Sequence, residues 1–356
     1  MRCLVNYPTV SPDDTTNSGG LSHLLANLDV LGRLGFKCVV IARLSWPIIS
    51  FSGSVCWLSI VPGRANPRAD TTAMAGAPPR PRPFETLLNG VRRVALAAVS
   101  SLAVRIIKPQ LIIERANGRF HLKRTAPVRR AVHLVEINDE FIPDGRYDGA
   151  LTAIEYRGLP FPQLAAPWPV QSVGTFDFAL LSARFDALQQ AGTAIDVLLL
   201  GTGGIKALDE VMPFLEGHPW LVDRPIRLHV MGNAQEAHDH RILLHGHVRT
   251  DQIDASCFHC ALVFYSESTY SDARLALGSP TKIFNYIDYS LPIITNRDLI
   301  RQRYLGNIDC RMLESMDKND VMCWANHMTT LRSMASVTGY SNSFLSFIKD
   351  LGLTVC

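Results

Sequence analysis

The chain has 356 residues, 47% of them hydrophobic and 19% charged. That composition excludes wholesale disorder, and the length exceeds what one core fills, so two domains are expected. The net charge of +3 is uneven: residues 1–150 hold 19 Lys and Arg against 11 Asp and Glu, and residues 151–356 hold 16 against 21. The N-terminal part is therefore the one suited to an anionic partner or surface.

In chain order, "CLVNY" reads as a short apolar strand and "PTVSPDDTTNSGG" as a polar loop ending in Gly19 and Gly20. "LSHLLANLDVLGRLG" places Leu21, Leu24, Leu25, Leu28, Leu31 and Leu34 on one helical face and closes on Gly35, and "FKCVVIARL" reads as a buried strand. This is a βαβ unit with a glycine-rich turn. The N-terminus lacks a signal-peptide layout, and eight cysteines form no disulfide framework, which leads to the expectation of a reducing, cytoplasmic setting. A strand is expected at 54–60, a mobile Pro- and Arg-rich loop at 62–83, and a helix at 84–108. The apolar run 94–104 within that helix is too short to span a bilayer. Strands follow at 110–114 and 131–137, and the signal weakens from 138 to 194 before a helix at "FALLSARFDALQQAG". A second alternating series then begins at "AIDVLLLGTGG" and continues with a helix at 205–215, strands "IRLHVMG" and "RILLHG", a helix near 249–257 and strand "CALVFYS". Helices at 317–333 and 340–351 end the chain. Alternating strands and helices predict parallel sheets covered on both faces, with ligands beyond the C-terminal ends of the strands and in the cleft between two domains.

The segment 278–296, "GSPTKIFNYIDYSLPIITN", carries the sharpest chemical signal. Lys282 opens a helix whose N-terminus already bears partial positive charge. Two positive features in one place favour an anion there, most commonly a phosphate. In this context the segment resembles the C-terminal domain of nucleotide-sugar-dependent glycosyltransferases of the GT-B fold, family 4 type, through Ser279, Pro280, Lys282, Ile283, Asn285, Tyr286, Ser290, Leu291, Pro292 and the strand "IIT". The first βαβ unit, "IIERANG", "LVEIND", "SVGTFDF" with Gly174 and Asp177, "LLLGTGGIKAL" and "LLHGHVRTDQIDASCFHCALVFYSES" resemble further elements of that family in order.

The resemblance implies an α/β chain with two Rossmann-like domains facing a cleft. An acceptor-binding domain would occupy 1–175, a linker 176–194 and a nucleotide-sugar-binding domain 195–335, with a C-terminal helix at 336–356 packing back toward the N-terminal domain. The implied activity is transfer of a sugar from a nucleoside-diphosphate sugar to a hydroxyl of a polysaccharide, lipid-linked saccharide or small molecule, metal-independent and retaining. The nucleotide sugar would be a co-substrate, with no separate cofactor, no metal and no nucleic-acid partner. The implied donor-binding residues are Gly19, Gly20, Gly201, Lys206, Ser279, Pro280, Thr281, Lys282 and Asn285. Lys206 and Lys282 would neutralise the departing diphosphate, and Asn285 would bond the ribose. Glu114, Glu136, Asn138 and Asp139, near strand ends of the N-terminal domain, are the catalytic candidates. The basic N-terminal half suggests an anionic acceptor and peripheral contact with an anionic inner-membrane face.

Plainer explanations compete with each of these. Gly19 and Gly20 can merely end a loop, Lys282 can be a solvated lysine, and Glu136 can be a buried carboxylate paired with Arg115 or Arg119. The family's paired glutamates are replaced by Leu277 and Asn285, its arginine by Thr202, and a common histidine by Asn138. Alternatives are therefore a nucleotide-sugar epimerase of the same fold or a non-catalytic partner subunit. "CFHC" at 257–260 and the histidines of "AHDHRILLHGH" do not make a zinc set, since Cys260 opens a strand and no second cysteine pair follows. A dinucleotide dehydrogenase is disfavoured because the turn at Gly19 and Gly20 lacks a third glycine and no acid closes "VVIARL".

Overall fold

The computed structural model describes residues 1–7, 19–42, 49–58, 102–115, 128–137, 147–153, 155–156, 158–190, 194–201, 208–232, 237–246, 248–267, 270, 272, 275 and 280–354. The chain divides into two compact units, one of residues 1–169 and 337–356 and the other of residues 170–336.

The first unit is built on an eight-stranded sheet. Its strands are β1 (Arg2–Asn6), β2 (Lys37–Ile41), β3 (Ile49–Ser52), β4 (Val55–Leu58), β5 (Leu111–Arg115), β6 (Val132–Ile137), β7 (Gly149–Thr152) and β8 (Gln163–Ala165). Their order across the sheet is β3-β4-β2-β1-β5-β6-β7-β8, and every pairing is parallel except β3 with β4. The leucine stripe predicted for the first helix forms α1 (Gly19–Arg33), which buries Leu21, Leu24, Leu28 and Leu31. The helix ends where Gly35 turns to φ +76°, a left-handed conformation that glycine adopts without a Cβ clash. The Phe36 amide then closes the turn on Leu31 O. On that same face lies Val337–Asp350, with Tyr340, Phe344, Phe347 and Ile348 in the core. The opposite face is covered by the helical residues 102–107, through Val104 against Leu4, Ile41 and Ile112.

The second unit holds a five-stranded parallel sheet of β9 (Ile195–Leu200), β10 (Ile226–Met231), β11 (Ile242–Gly246), β12 (Cys260–Val263) and β13 (Ile293–Thr295), in the order β11-β10-β9-β12-β13. Around it pack α2 (Phe178–Gln189), α3 (Leu208–Glu216), α4 (Lys282–Asp288) and α5 (Lys318–Met334); the C-terminal helix of the first unit, Val337–Asp350, is α6. β9 is buried at all six positions, as its mainly apolar run "IDVLLL" predicts for a central parallel strand, and the one polar residue, Asp196, is paired with Arg227 and His229.

Several elements differ from the sequence-based expectation. The segment 138–194 holds two further strands, β7 and β8, while the helix expected at "FALLSARFDALQQAG" is present as α2 and belongs to the second unit. The helix expected near 249–257 is two separate 3₁₀ turns, Thr250–Gln252 and Ala255–Cys257, the second started by the Asp254 carboxylate accepting from the Ser256 amide. β3 was not foreseen. It is a short edge strand, largely exposed. The loop 62–83, most of the helix expected at 84–108, and the segment 116–127 lie outside the described residues.

Gly174 and Asp177 have local structural reasons. Asp177 caps α2, its carboxylate accepting from the amides of Ala179 and Leu180 at 2.8 and 3.2 Å. Gly174 runs beside the end of α4, and a Cβ there would stand 2.9 Å from the Asp288 carbonyl oxygen. Gly174→Ala is expected to destabilise the protein by about 1–3 kcal/mol, because backbone, not a mobile side chain, must give way. Urea unfolding measures this.

Candidate functional site

In the second unit the strand ends carry the most specific arrangement. β9 stops at Leu200, and Gly201 follows with φ +149°, a conformation nearly closed to residues with a side chain. α4 is fixed to these ends by Tyr286. Its buried hydroxyl accepts from the Leu200 amide at 2.8 Å and donates to Leu262 O at 3.0 Å, so one side chain ties α4 to both β9 and β12. Burial raises the pKa of this phenol, keeping it a neutral linker.

That anchoring sets Lys282, the first residue of α4, against the strand ends. Its Nζ lies 3.4 Å from Leu200 O and 4.5 Å from the centre of the Tyr265 ring. The position a Cβ on Gly201 would take is 3.8 Å from the same nitrogen, an ordinary contact, so it is the backbone conformation that calls for glycine there. Among the described residues no carboxylate forms an ion pair with Lys282. Desolvation pushes its pKa down to about 8. A half-buried ammonium that has lost water and gained only one long carbonyl contact and a ring face is a site that an anion would stabilise.

The remaining donor-side residues fall around it unevenly. Pro280 is buried and Thr281 half-buried at the entry to α4, whose first bonds are 3₁₀-like, Ile283 N to Pro280 O and Phe284 N to Thr281 O. Thr281 makes no side-chain cap. Asn285 is half-buried one turn along. With seven residues, α4 sums few peptide dipoles, so the Lys282 charge is the main electrostatic feature. Gly19 and Gly20 form the first turn of α1 in the other unit. Lys206, Ser279, Thr202 and Leu277 lie outside the described residues.

On the first unit, Glu114 and Glu136 are both fully buried, but on opposite faces of the sheet. Glu136 pairs in register with Arg115, the neighbour of Glu114, and side chains alternate along a strand. The structure therefore does not bring the two carboxylates together. Glu114 accepts from Asn6 Nδ2 at 3.1 Å and lies 3.1 Å from His133 Nε2. Glu136 gathers His23 Nε2 at 2.8 Å, Asn27 Nδ2 at 3.2 Å, the Tyr7 hydroxyl, and Arg115 Nε at 4.0 Å. Burial alone would raise the Glu136 pKa, but His23, Arg115 and Tyr7 outweigh it, and the carboxyl lies below its ordinary value. Asn138 and Asp139 lie outside the described residues.

His23 and Asn27 were missed as members of this cluster. The signal was present, because two polar residues four apart interrupt an otherwise leucine-rich helical face and so share one side of α1. Among the described residues no group of three His, Cys, Asp or Glu side chains is arranged to hold a metal. Cys260 is buried in β12 while Cys257 is exposed. No helix of the described residues is long and apolar enough to cross a membrane.

No family model and no curated protein matches the sequence. Solved structures do match in fold over nearly the whole chain. A trehalose-6-phosphate synthase is 10% identical with a TM-score of 0.52, covering 100% of both chains. An α,α-trehalose-phosphate synthase (UDP-forming) from Burkholderia vietnamiensis is 10% identical with a TM-score of 0.54, covering 98% of this chain and 99% of its own. The N-terminal domain of a Candida albicans trehalose-6-phosphate phosphatase is 9% identical with a TM-score of 0.52, covering 99% of each. At such identities the likeness speaks for architecture, and with two parallel α/β units in one chain the protein has the GT-B type of fold.

Proposed function

We propose that the protein is a glycosyltransferase that moves a sugar from a nucleoside-diphosphate sugar to an acceptor hydroxyl, without a metal and with retention of configuration. The observation that carries this reading is Lys282, a desolvated ammonium with a pKa of about 8 at the C-terminal end of a parallel sheet, beside the Gly201 turn. A diphosphate is the anion that suits such a position in this fold, and one of the matched structures is a UDP-forming synthase.

In the proposed reaction the bond from the anomeric carbon to the diphosphate oxygen breaks and a bond to the acceptor oxygen forms. The acceptor proton passes to the departing diphosphate, so no protein base is required. Lys282 offsets the negative charge that grows on the leaving group, an effect strongest where water is scarce. Lys206, Asn285 and the Gly201 turn complete the donor side, and the first unit receives an acceptor saccharide or glycolipid.

Thermal-shift measurements against UDP, dTDP, GDP, ADP and their sugars test the reading. One nucleotide is expected to raise the melting temperature, since ligand at a hundred times its Kd stabilises the folded form by about 2.7 kcal/mol. The matching nucleotide sugar should then release nucleoside diphosphate only when an acceptor is present, and the product should keep the donor's anomeric configuration by NMR. Release without an acceptor product, or no nucleotide shift at all, would overturn it.

A further inference from the structure

One face of the first unit carries a feature that nucleotide chemistry does not use. Cys3 and Val5 turn toward the core under α1, whereas Leu4 turns to the opposite cluster with Ile41, Val104 and Ile112. By strand alternation Arg2 lies on the Leu4 side, and its register partner Lys37 lies there too. Phe51 pairs with Cys56, which pairs with Val39, so the β3–β4 hairpin presents Phe51 to the same side. The helical residues 102–107 cover this face through Val104 and turn outward Leu102 and Ile106, one turn apart, together with Arg105.

Phe51 is 76% exposed, Ile106 69% and Leu102 54%. Arg2, Lys37, Arg105 and Lys108 are all exposed. Arg2 and Lys37 begin β1 and β2, Lys108 precedes β5, and Phe51 sits just before the hairpin turn leading into β4. They therefore line the strand-start edge, opposite the edge that holds the carboxylate cluster of Glu136. Among the described residues from Met1 to Arg115, the one exposed carboxylate is Asp29, and it belongs to α1 on the other face.

We propose that this edge is a docking surface for an anionic lipid bilayer. The basic residues meet the phosphate headgroups, and Phe51 and Ile106 enter the boundary between headgroups and acyl chains. Charge complementarity favours this occupant. A second copy of the chain seated by two-fold symmetry would set basic residues against basic residues. An acidic soluble partner would leave the protruding aromatic and aliphatic side chains without a solvent of their own kind. The proposal is independent of the donor chemistry proposed above.

Co-sedimentation of the full chain with vesicles tests it, comparing equal parts phosphatidylglycerol and phosphatidylcholine with phosphatidylcholine alone. Binding is expected to the anionic vesicles and to fall as sodium chloride rises. Lys37→Gln and Arg105→Gln should each lower partitioning about fivefold and flatten the salt dependence, as one basic residue near an anionic surface is worth on the order of 1 kcal/mol. Phe51→Ser with Ile106→Ser should lower partitioning at every salt concentration. All four positions are exposed, so the variants are expected to fold, which circular dichroism checks. Equal binding to neutral vesicles, partitioning unchanged by all the variants, or a concentration-dependent dimer that Phe51→Ser dissolves without any vesicle binding would overturn the proposal. None of these results alters a nucleotide thermal shift, so the two readings fail separately.

Discussion

Lys282→Met is expected to weaken nucleoside-diphosphate-sugar binding by about 10–100-fold, because a charge-assisted hydrogen bond contributes roughly 1.5–3 kcal/mol. Methionine keeps most of the apolar stem and removes the ammonium that lies over the Tyr265 ring. Calorimetry should also show a pH signature that the variant lacks. In the free protein Lys282 has a pKa of about 8, because burial disfavours its charged form. An anion beside it favours that form again and raises the pKa, so binding takes up a proton at pH values above 8. Affinity in the unsubstituted protein should therefore be level below pH 8 and decline as pH rises beyond it, and the difference between the two proteins should shrink there. Equal affinity for both proteins at pH 7 would place the diphosphate elsewhere.

Asp288→Ala is expected to destabilise the second unit by about 3–5 kcal/mol, a large share of the roughly 5–15 kcal/mol that holds a typical folded domain. Asp288 is buried at the last position of α4 and receives Arg332 in bidentate fashion, Nε to Oδ1 at 2.7 Å and Nη2 to Oδ2 at 2.9 Å. It also accepts from the Val173 amide at 3.0 Å and from Ser172 Oγ at 3.2 Å. Removing it strands a guanidinium and a backbone amide in a site with little water. The loss should be read as a fall in the urea midpoint for the second unit. Asp288→Ala combined with Arg332→Met should lose less than Asp288→Ala alone, since the orphaned charge is then gone. If the double variant were the less stable of the two, the ion pair would not be the reason.

The central strands were legible because they are buried on both faces and so read as mainly apolar runs, "CLVN", "IDVLLL" and "CALV", with Asn6 and Asp196 the polar exceptions. β7 and β8 were not. "GALT" and "QLA" are too short to show a period, and what buries β7 comes from far along the chain. Gly149 is pressed by Phe347 and Leu351, whose atoms would stand 2.8 and 3.0 Å from a Cβ at that position. Lys282 was legible as a chemical oddity, a cation at a helix start. Its surroundings were not, because Leu200 O, Gly201, Tyr265 and Tyr286 come from three separate segments that only the parallel sheet brings together. Glu136 shows the same limit from the other side. Its strand could be read, but the His23 and Tyr7 partners that place its pKa depend on α1 folding over β1 and β6.

The two-part course of the polypeptide bears on the order in which it acquires structure during synthesis. Residues 170–336 are contiguous and can condense as soon as they leave the ribosome, whereas the core begun at the N-terminus waits for Tyr340, Phe344 and Ile348. The hydrogen bond from Arg33 to Thr338 joins positions 305 apart in sequence, a closure no earlier stage of translation can make. The segment made first is thus the one finished last. Through most of its emergence α1 lacks Tyr340, Phe344 and Ile348 from its shared core, and this is the stretch of nascent chain where a chaperone's hold would matter most.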